Sequence, residues 1–204
     1  MAMEGMLLEA PTEERKIRRM STFAPGGGAD ASMAWAHYDS DKCSTTQDEK
    51  TLTVSKSGTC VALGEPILAS GCHTWTFVIE NSFHNWGDGM ILGVADANEE
   101  LDLANLTGGS AIGLYARSGA LVLTNDCAGP GEQVKMMDHP LDGCACGAAI
   151  KVKADLDRRS LTFRINGGPE VEAGWIFTKG GHATNAIRPW ALLCFHNDKV
   201  RFTP

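Results

Sequence analysis

The sequence predicts an all-β protein, an antiparallel β-sandwich preceded by a short helical arm. From Trp35 onward, apolar and polar residues alternate with period two in many short segments, which is the pattern of strands that cover a core on one side. Glycine is in excess, with 23 residues in a chain of 204, and it shows no collagen period, which favours strands joined by tight turns. We therefore divide the chain into an arm, residues 1–34, and a sandwich domain, residues 35–204.

The arm reads as a short helix followed by a glycine-rich linker. Pro11 suits the first turn of a helix, and the acids at 13–14 precede the bases at 18–19, which suits the helix dipole. A flexible break follows at 25–28. A helix this short is marginal by itself, so a solvated or frayed tail is one interpretation. The other is a helix that docks on a partner through four apolar residues: Leu7, Leu8, Ile17 and Met20.

The strands are predicted from alternation and from turn residues between the alternating segments. In 73–80, every second residue is His or apolar, and this segment is the clearest strand. Segments 150–156 and 161–165 alternate in the same way and are separated by the turn 157–160, which indicates a hairpin. With the remaining segments, this gives about eleven strands. Those segments are 51–55, 59–63, 90–95, 111–116, 120–125, 171–177, 188–195 and 199–203.

Charge and apolar runs exclude two classes of partner. Lys and Arg number 18 against 25 Asp and Glu, for a net charge of −7, which argues against sequence-independent binding of nucleic acid, since that needs a basic face. The longest strongly apolar run, 189–195, is far shorter than the ~20 residues that span a bilayer, so we expect no membrane partner. Residues 1–16 carry acids where a signal peptide carries bases. We therefore expect a cytoplasmic protein, with nucleus or cilium also compatible.

The seven cysteines are an odd number, so they cannot all pair within one chain. In a reducing compartment, cysteines behave mostly as small buried hydrophobes. We expect reduced thiols.

Six segments carry motifs that occur together, in this order, in one family: 71–80, 89–95, 111–115, 153–163, 166–168 and 188–192. They resemble the SPRY domain, and the resemblance covers Thr51–Phe202. The first segment is similar to the family's G-x-H-x-W-E-V strand, with Thr76 in place of glutamate. The hairpin is similar to L-D-x-x-x-G-T-L-S-F, with Arg159 in place of glycine. The resemblance implies a bent, concanavalin A-like antiparallel sandwich, and we expect no SOCS box or catalytic module with it.

The same resemblance implies a function in binding, without catalysis and without a cofactor. SPRY domains present loops at one edge of the sandwich to peptides or protein surfaces, so the chain is expected to be an adaptor or structural subunit of a larger assembly. In the members that bind an Asn-rich peptide, a Val-Trp-Gly stretch contributes to the site. It corresponds here to Cys194-Phe195-His196, which keeps only the aromatic residue, so that peptide is not expected to be the ligand.

Three loops contain the candidate protein-binding residues. The loop after the clearest strand combines two aromatic rings with polar residues, and rings with few rotatable bonds are favoured anchors at interfaces. Its alternative role is a local lid over the core. A turn near the end of the chain and a hairpin tip are the second and third candidates. The residues are Phe83, His84, Asn85 and Trp86 in the first loop, Phe195, His196 and Asn197 in the second, and Arg117 in the third.

Metal binding and catalysis have weaker signals. Cys144 and Cys146 form one short pair, whereas structural zinc takes four ligands, usually as two spaced pairs. The acidic stretch 96–102 lacks the spacing of an EF-hand. We therefore expect no metal and no enzyme, and there is no Gly-x-Ser-x-Gly elbow for a nucleophile. Two alternative functions remain: a lectin-like domain that stacks a glycan on Trp86, and a hydrolase that uses the acidic stretch or another carboxylate pair.

Overall fold

The computed structural model describes residues 32–97, 111–124, 135–137, 143–175, 178–179, 182–183 and 186–203. Nearly all of the predicted arm, including Leu7, Leu8, Ile17 and Met20, lies outside these residues. The strands are β1 (Ala34–Tyr38), β2 (Cys43–Thr45), β3 (Thr51–Val54), β4 (Cys60–Glu65), β5 (Cys72–Asn81), β6 (Ile91–Asp96), β7 (Ala111–Tyr115), β8 (Ala120–Thr124), β9 (Lys135–Met137), β10 (Ala149–Asp155), β11 (Ser160–Ile165), β12 (Glu170–Glu172), β13 (Thr178–Lys179), β14 (His182–Ala183), β15 (Ile187–Leu193) and β16 (Lys199–Thr203).

Two seven-stranded antiparallel sheets form the sandwich. The first sheet has the order β12-β11-β10-β5-β16-β3-β2, and the second has the order β1-β4-β15-β6-β7-β8-β9. β13 and β14 form a separate two-stranded sheet. The predicted all-β sandwich is thus confirmed. In the part of the chain that the structure describes, no helix is long and apolar enough to cross a membrane.

All but one of the predicted strands are present, with ends shifted by one or two residues. The exception is 171–177. Here β12 ends at Glu172, and Gly174 has a φ of +74°, which is incompatible with extended strand; residues 176 and 177 lie outside the described part. The structure also adds four strands of two or three residues, β2, β9, β13 and β14. It adds β1 as well, which alternation did not reveal because a bulge between Trp35 and His37 shifts its register.

Aromatic rings fill the space between the two sheets. Trp35 is 1% exposed and stacks on Phe202 with ring centroids 4.4 Å apart, and Phe77 lies 5.2 Å from Phe202. Trp75 packs edge-on against Phe77 at 6.4 Å. Alternation placed Trp75 and Phe77 in the core correctly. Trp35 is part of the sandwich itself, because β1 pairs with β4.

The second sheet is also apolar on its outer face. A second buried cluster there includes Trp190, which is fully buried, together with residues from four neighbouring strands. Strands that are buried on both faces read as continuous apolar runs instead of alternating ones. This explains why β15, which contributes Trp190, contains most of the longest apolar run in the sequence. The other buried members of the cluster are Val61, Leu63, Ile91, Ala95, Ala111, Val122 and Leu192.

The hairpin that resembles the SPRY motif forms as predicted. β10 and β11 pair from Ile150 with Ile165 to Asp155 with Ser160. Arg159, in place of the family's glycine, has a φ of +55°. This left-handed conformation is one that glycine adopts without cost and that other residues adopt at about 1–2 kcal/mol, so the turn explains the glycine of the motif.

The cysteines depart in part from the expectation of reduced thiols. Cys43 on β2 and Cys60 on β4 form a disulfide, which links the two sheets. Both side chains are buried and come into contact in the core between the sheets. The spacing of the cysteines along the sequence does not show which of them lie close together in this way. Cys72, Cys144, Cys146 and Cys194 are free. Burial raises the pKa of the Cys144 thiol to about 12 and, with Asp198 nearby, that of the Cys194 thiol to about 11.

Replacing Cys43 with serine is expected to lower the free energy of unfolding by up to about 3 kcal/mol. The two cysteines are 17 residues apart, and the chain-entropy model gives about 3 kcal/mol for a loop of this size. Urea denaturation measures the loss. Cys72→Ser, which changes a free and exposed thiol, is the control and should leave the midpoint unchanged. Equal midpoints for Cys43→Ser and the wild type would contradict the disulfide.

Candidate functional site

One end of the sandwich collects the three loops that contain the candidate binding residues. The register pairs Asn81, the last residue of β5, with Lys199, the first residue of β16, so the segments after β5 and before β16 meet. Ile91 pairs with Tyr115, which brings the turn after β7 to the same end. We call this surface the loop end and define it by residues 82–90, 116–119, 143–148 and 194–198.

The first loop exposes two aromatic side chains. Phe83 is 46% exposed and Trp86 is 56% exposed, and they are the exposed large hydrophobic residues among those that the structure describes. Left-handed φ angles at His84 (58°), Asn85 (63°) and Gly87 (58°) turn the chain sharply here. A Cβ at Gly87 would lie 2.7 Å from the Ala116 side chain, so this position has no room for another residue. The tight turn therefore presents the rings outward.

Asp198 joins the first loop to the second. Its side chain is buried, and its carboxylate accepts hydrogen bonds from the backbone N–H groups of Phe83 (3.1 Å), Cys194 (3.2 Å) and Phe195 (2.9 Å). The rings of Phe83 and Phe195 stack with centroids 4.8 Å apart. Burial raises the pKa of Asp198, and the negative charge of Asp88 adds to this, although the three N–H groups act in the opposite direction. The two predicted loops thus form a single surface.

Further hydrogen bonds, to Ser57, Val54 and Asn81, also fix the backbone of the second loop. The His196 N–H donates to Ser57 Oγ at 3.0 Å, and the Asn197 N–H donates to the Val54 carbonyl at 2.8 Å. Asn81 Nδ2 donates to the Asn197 carbonyl at 2.8 Å. Because these bonds use the backbone, the His196 and Asn197 side chains remain exposed.

The segment 143–148 is hydrogen-bonded to the first loop. The Gly87 N–H donates to Ser82 Oγ at 2.6 Å, and that hydroxyl lies 3.5 Å from Cys146 Sγ. The Cys146 N–H donates to the Asn85 carbonyl at 3.1 Å. Cys146 therefore braces the loop, whereas the thiol of Cys144 is buried in the core. Within the described segments, no group of three or more His, Cys, Asp or Glu residues is placed to hold a metal ion.

Arg117 joins the same surface through an ion pair. Its Nε lies 3.0 Å from Asp88 Oδ1, and its side chain is 64% exposed. A Cβ at Gly143 would lie 2.2 Å from the Arg117 carbonyl, so the hairpin tip and the segment 143–148 are in close contact. The structure thus brings the predicted binding residues of all three loops together.

The residues that connect the loops were not identified from the sequence. Ser82 and Asp198 are polar residues that flank strands, and Asp88 lies in the loop between β5 and β6; residues of this kind are common at turns. The sequence gives only a weak signal for Asp198, namely that it follows an exposed turn and precedes an alternating strand. Its buried position depends on a hydrogen bond to Phe83, which is 115 residues away.

Comparison with known proteins identifies the fold. No family model matches the chain, and no curated protein matches it in sequence. Among solved structures, it is similar to the SPRY domain of human HERC1, with a TM-score of 0.59 and 21% identity over 81% of this chain and 96% of that one. A human SPRY domain has a TM-score of 0.56 and 12% identity over the same shares. The NEUZ (NHR) domain of Neuralized from Drosophila melanogaster has a TM-score of 0.51 and 12% identity, covering 88% and 95%.

The fold is therefore that of an antiparallel β-sandwich of the concanavalin A-like class. Within this class, the chain has the SPRY fold, as the sequence motifs predicted.

Replacing Asp198 with alanine is expected to lower the free energy of unfolding by about 1–3 kcal/mol, because buried N–H groups lose their acceptor. Urea denaturation measures the change. Asp157→Ala is the matched control, since Asp157 is exposed and accepts one hydrogen bond, from the Gly71 N–H at 3.1 Å, at the opposite end of β5. An equally small loss for both variants would contradict the role of Asp198.

The raised pKa of Asp198 also predicts how stability depends on pH. Because the folded protein disfavours the charged carboxylate, it binds the proton more tightly than the unfolded chain does. The wild type should therefore lose stability relative to Asp198→Asn as the pH rises from the ordinary aspartate pKa, about 3.9, through the raised value. Urea denaturation of both proteins across this window measures the difference. A difference that does not change with pH would contradict the raised pKa.

Proposed function

We propose that the chain is a non-catalytic protein-interaction module that binds a peptide or protein surface through the loop end. We further propose that it acts as an adaptor or structural subunit of a larger assembly. The observation that supports this most directly is the joint exposure of Phe83 and Trp86 in one loop. Large aromatic side chains that cluster on a surface are frequent hot spots of protein interfaces.

The rigidity of the loop end supports a role in binding. Asp198 accepts the Phe83 N–H, Ser82 Oγ accepts the Gly87 N–H within the loop, and Phe83 stacks on Phe195. A surface that is already ordered loses little conformational entropy when a partner binds, so more of the contact energy appears as affinity. The SPRY fold supports the same proposal, because the resemblance implies binding through loops at one edge of the sandwich.

The arm is proposed as a second contact. Leu7, Leu8, Ile17 and Met20 provide the apolar residues for it, and two linked contacts raise affinity through effective concentration. Removing residues 1–31 tests this, since the deletion leaves Met33 and β1 in place. If the truncated chain captures the same partners as strongly as the intact chain, the second contact is wrong.

Glycan binding is a second candidate function, because an exposed indole such as Trp86, 56% exposed, is a surface on which a sugar ring can stack. A glycan array probed with the full chain tests it. Binding that Trp86→Ala abolishes would favour the lectin-like function, and a blank array would remove it.

We also propose a cytoplasmic location, and the redox state of Cys43 and Cys60 provides a test. Disulfides are rare in the cytosol, so in cells this pair should be largely reduced. Because both side chains are buried, the maleimide is applied while the cells are lysed in denaturant, and both thiols should then be alkylated. A Cys43–Cys60 disulfide intact in nearly every copy would contradict the cytoplasmic location.

Replacing Phe83 and Trp86 together with serine is expected to reduce partner capture by at least about tenfold, since truncating an aromatic hot spot costs about 2 kcal/mol or more. Affinity capture and crosslinking mass spectrometry on native extract measure this, and the crosslinks should map to the loop end. Lys153→Ser, an exposed change on the outer face of the first sheet, is the control. Unchanged capture by the Phe83/Trp86 variant would contradict the proposed function.

A further inference from the structure

The Cys43–Cys60 disulfide lies beside the turn 55–59, which connects β3 to β4. Cys60 is the first residue of β4 and directly follows this turn. Cys43 directly follows Lys42, whose carbonyl accepts the N–H of Ser55 at 2.7 Å and its hydroxyl at 2.8 Å. The turn is therefore attached at both of its ends to residues of the disulfide or to their immediate neighbours.

The same turn is hydrogen-bonded to the second loop of the loop end. The Gly58 N–H donates to the Cys194 carbonyl at 2.9 Å, and the His196 N–H donates to Ser57 Oγ at 3.0 Å. Cys194 and His196 flank Phe195, whose ring stacks on a ring of the first loop. A continuous series of contacts thus connects the disulfide to the exposed aromatic surface.

The two cysteines differ in how firmly their strands are held. β2, which contains Cys43, has three residues and pairs with β3 alone among the strands that the structure describes, at the edge of the first sheet. β4, which contains Cys60, pairs with β1 on one side and with β15 on the other. Segments with few contacts open more readily than central strands. Opening of β2 exposes the Cys43 sulfur while β4 stays in place.

We infer that Cys43 and Cys60 form a redox switch that controls how firmly the second loop is held, and thereby the affinity of the loop end for its partner. The inference rests on the proposed function and specifies its regulation. In the reduced form, hydrogen bonds alone hold the turn 55–59. In the oxidised form, the disulfide also holds β2 against β4. A surface that is ordered before binding loses less conformational entropy, so the oxidised form should bind more tightly.

Glutathione disulfide is the oxidant that would close the switch. The Cys43 thiolate attacks one of its sulfurs, which forms a mixed disulfide and releases one glutathione. The Cys60 thiolate then attacks the Cys43 sulfur, which forms the protein disulfide and releases the second glutathione. Two electrons pass from the cysteine pair to the oxidant, and the two thiol protons end on the two glutathione thiols. Reduced glutathione reverses both steps, so the proposed cytoplasmic location keeps the switch open until the pool becomes oxidised.

Hydrogen exchange of the full chain, measured by mass spectrometry in glutathione buffers of different ratio, tests the inference without a partner. Amides of 55–59 and 194–198 should exchange at least about tenfold more slowly in the oxidised form, since the disulfide opposes opening of the loop that it closes. Amides of the turn 157–160, at the opposite end of the sandwich, should exchange equally in both forms. Maleimide alkylation in denaturant counts the oxidised fraction at each ratio.

Two variants extend the test to binding. Cys43→Ala cannot form the disulfide and should exchange like the reduced wild type in every buffer, whereas Cys72→Ser, which changes a free and exposed thiol, should keep the difference. In one oxidised extract, Cys72→Ser should capture about two- to tenfold more partner than Cys43→Ala, the cost of ordering one or two loop residues. Both variants meet the same extract, so its own redox state does not bias the comparison.

The outcomes separate this inference from the proposed function. Equal exchange at 55–59 and 194–198 in the two forms would overturn the switch, as would a cysteine pair that stays reduced at every glutathione ratio. Equal capture by Cys43→Ala and Cys72→Ser, with capture lost in the Phe83/Trp86 variant, would also overturn the switch and leave the loop end as a binding surface. Capture that is insensitive to the Phe83/Trp86 variant would overturn the proposed function and the control of affinity together, even where the exchange difference persists.

Discussion

The arrangement of the loop end depends on a buried carboxylate. Asp198 stands one residue before β16, and its two oxygens accept N–H groups from Phe83, Cys194 and Phe195. Burial away from water raises the pKa of the Asp198 carboxyl group. The N–H groups compensate for part of the free-energy cost of burying the charge. With this single side chain, the protein satisfies the backbone of two turns and aligns the rings of Phe83 and Phe195. The exposed aromatic surface therefore depends on the hydrogen bonds of a buried side chain.

The two sheets supply the rigid base on which this end is built. β5 lies at the centre of the first sheet between β10 and β16, so its far end is held on both sides. β7 and β8, which pair at Tyr115 and Ala120, hold the turn at Arg117 in the same way from the second sheet. The Trp35, Phe77 and Phe202 rings and the Cys43–Cys60 disulfide tie the sheets together. Loops anchored to both sheets can be irregular in conformation and still keep a defined position.

The local alternation of apolar and polar residues was sufficient to predict most strands, but it failed where a bulge or a positive φ interrupts a strand. Alternation identified β5, β10 and β11, because each covers the core with one face. It missed β1, where a bulge interrupts the period, and it extended β12 past Gly174, whose positive φ ends the strand. The disulfide between Cys43 and Cys60 was also missed, since it requires knowing which strands of opposite sheets face each other.

The sequence by itself determined the all-β class, the order of the strands along the chain, the SPRY-like motifs and the exposed-loop character of the residues at 83–86, 117 and 195–197. These properties depend on neighbours a few residues apart, such as the period of side chains and the conformation of turns. Only the tertiary structure decided that these loops form one surface, with Asp88 pairing with Arg117 and Asp198 linking two turns. The register of strands distant in sequence decides such contacts, because backbone hydrogen bonds between strands, and not local preference, determine which strand ends lie side by side.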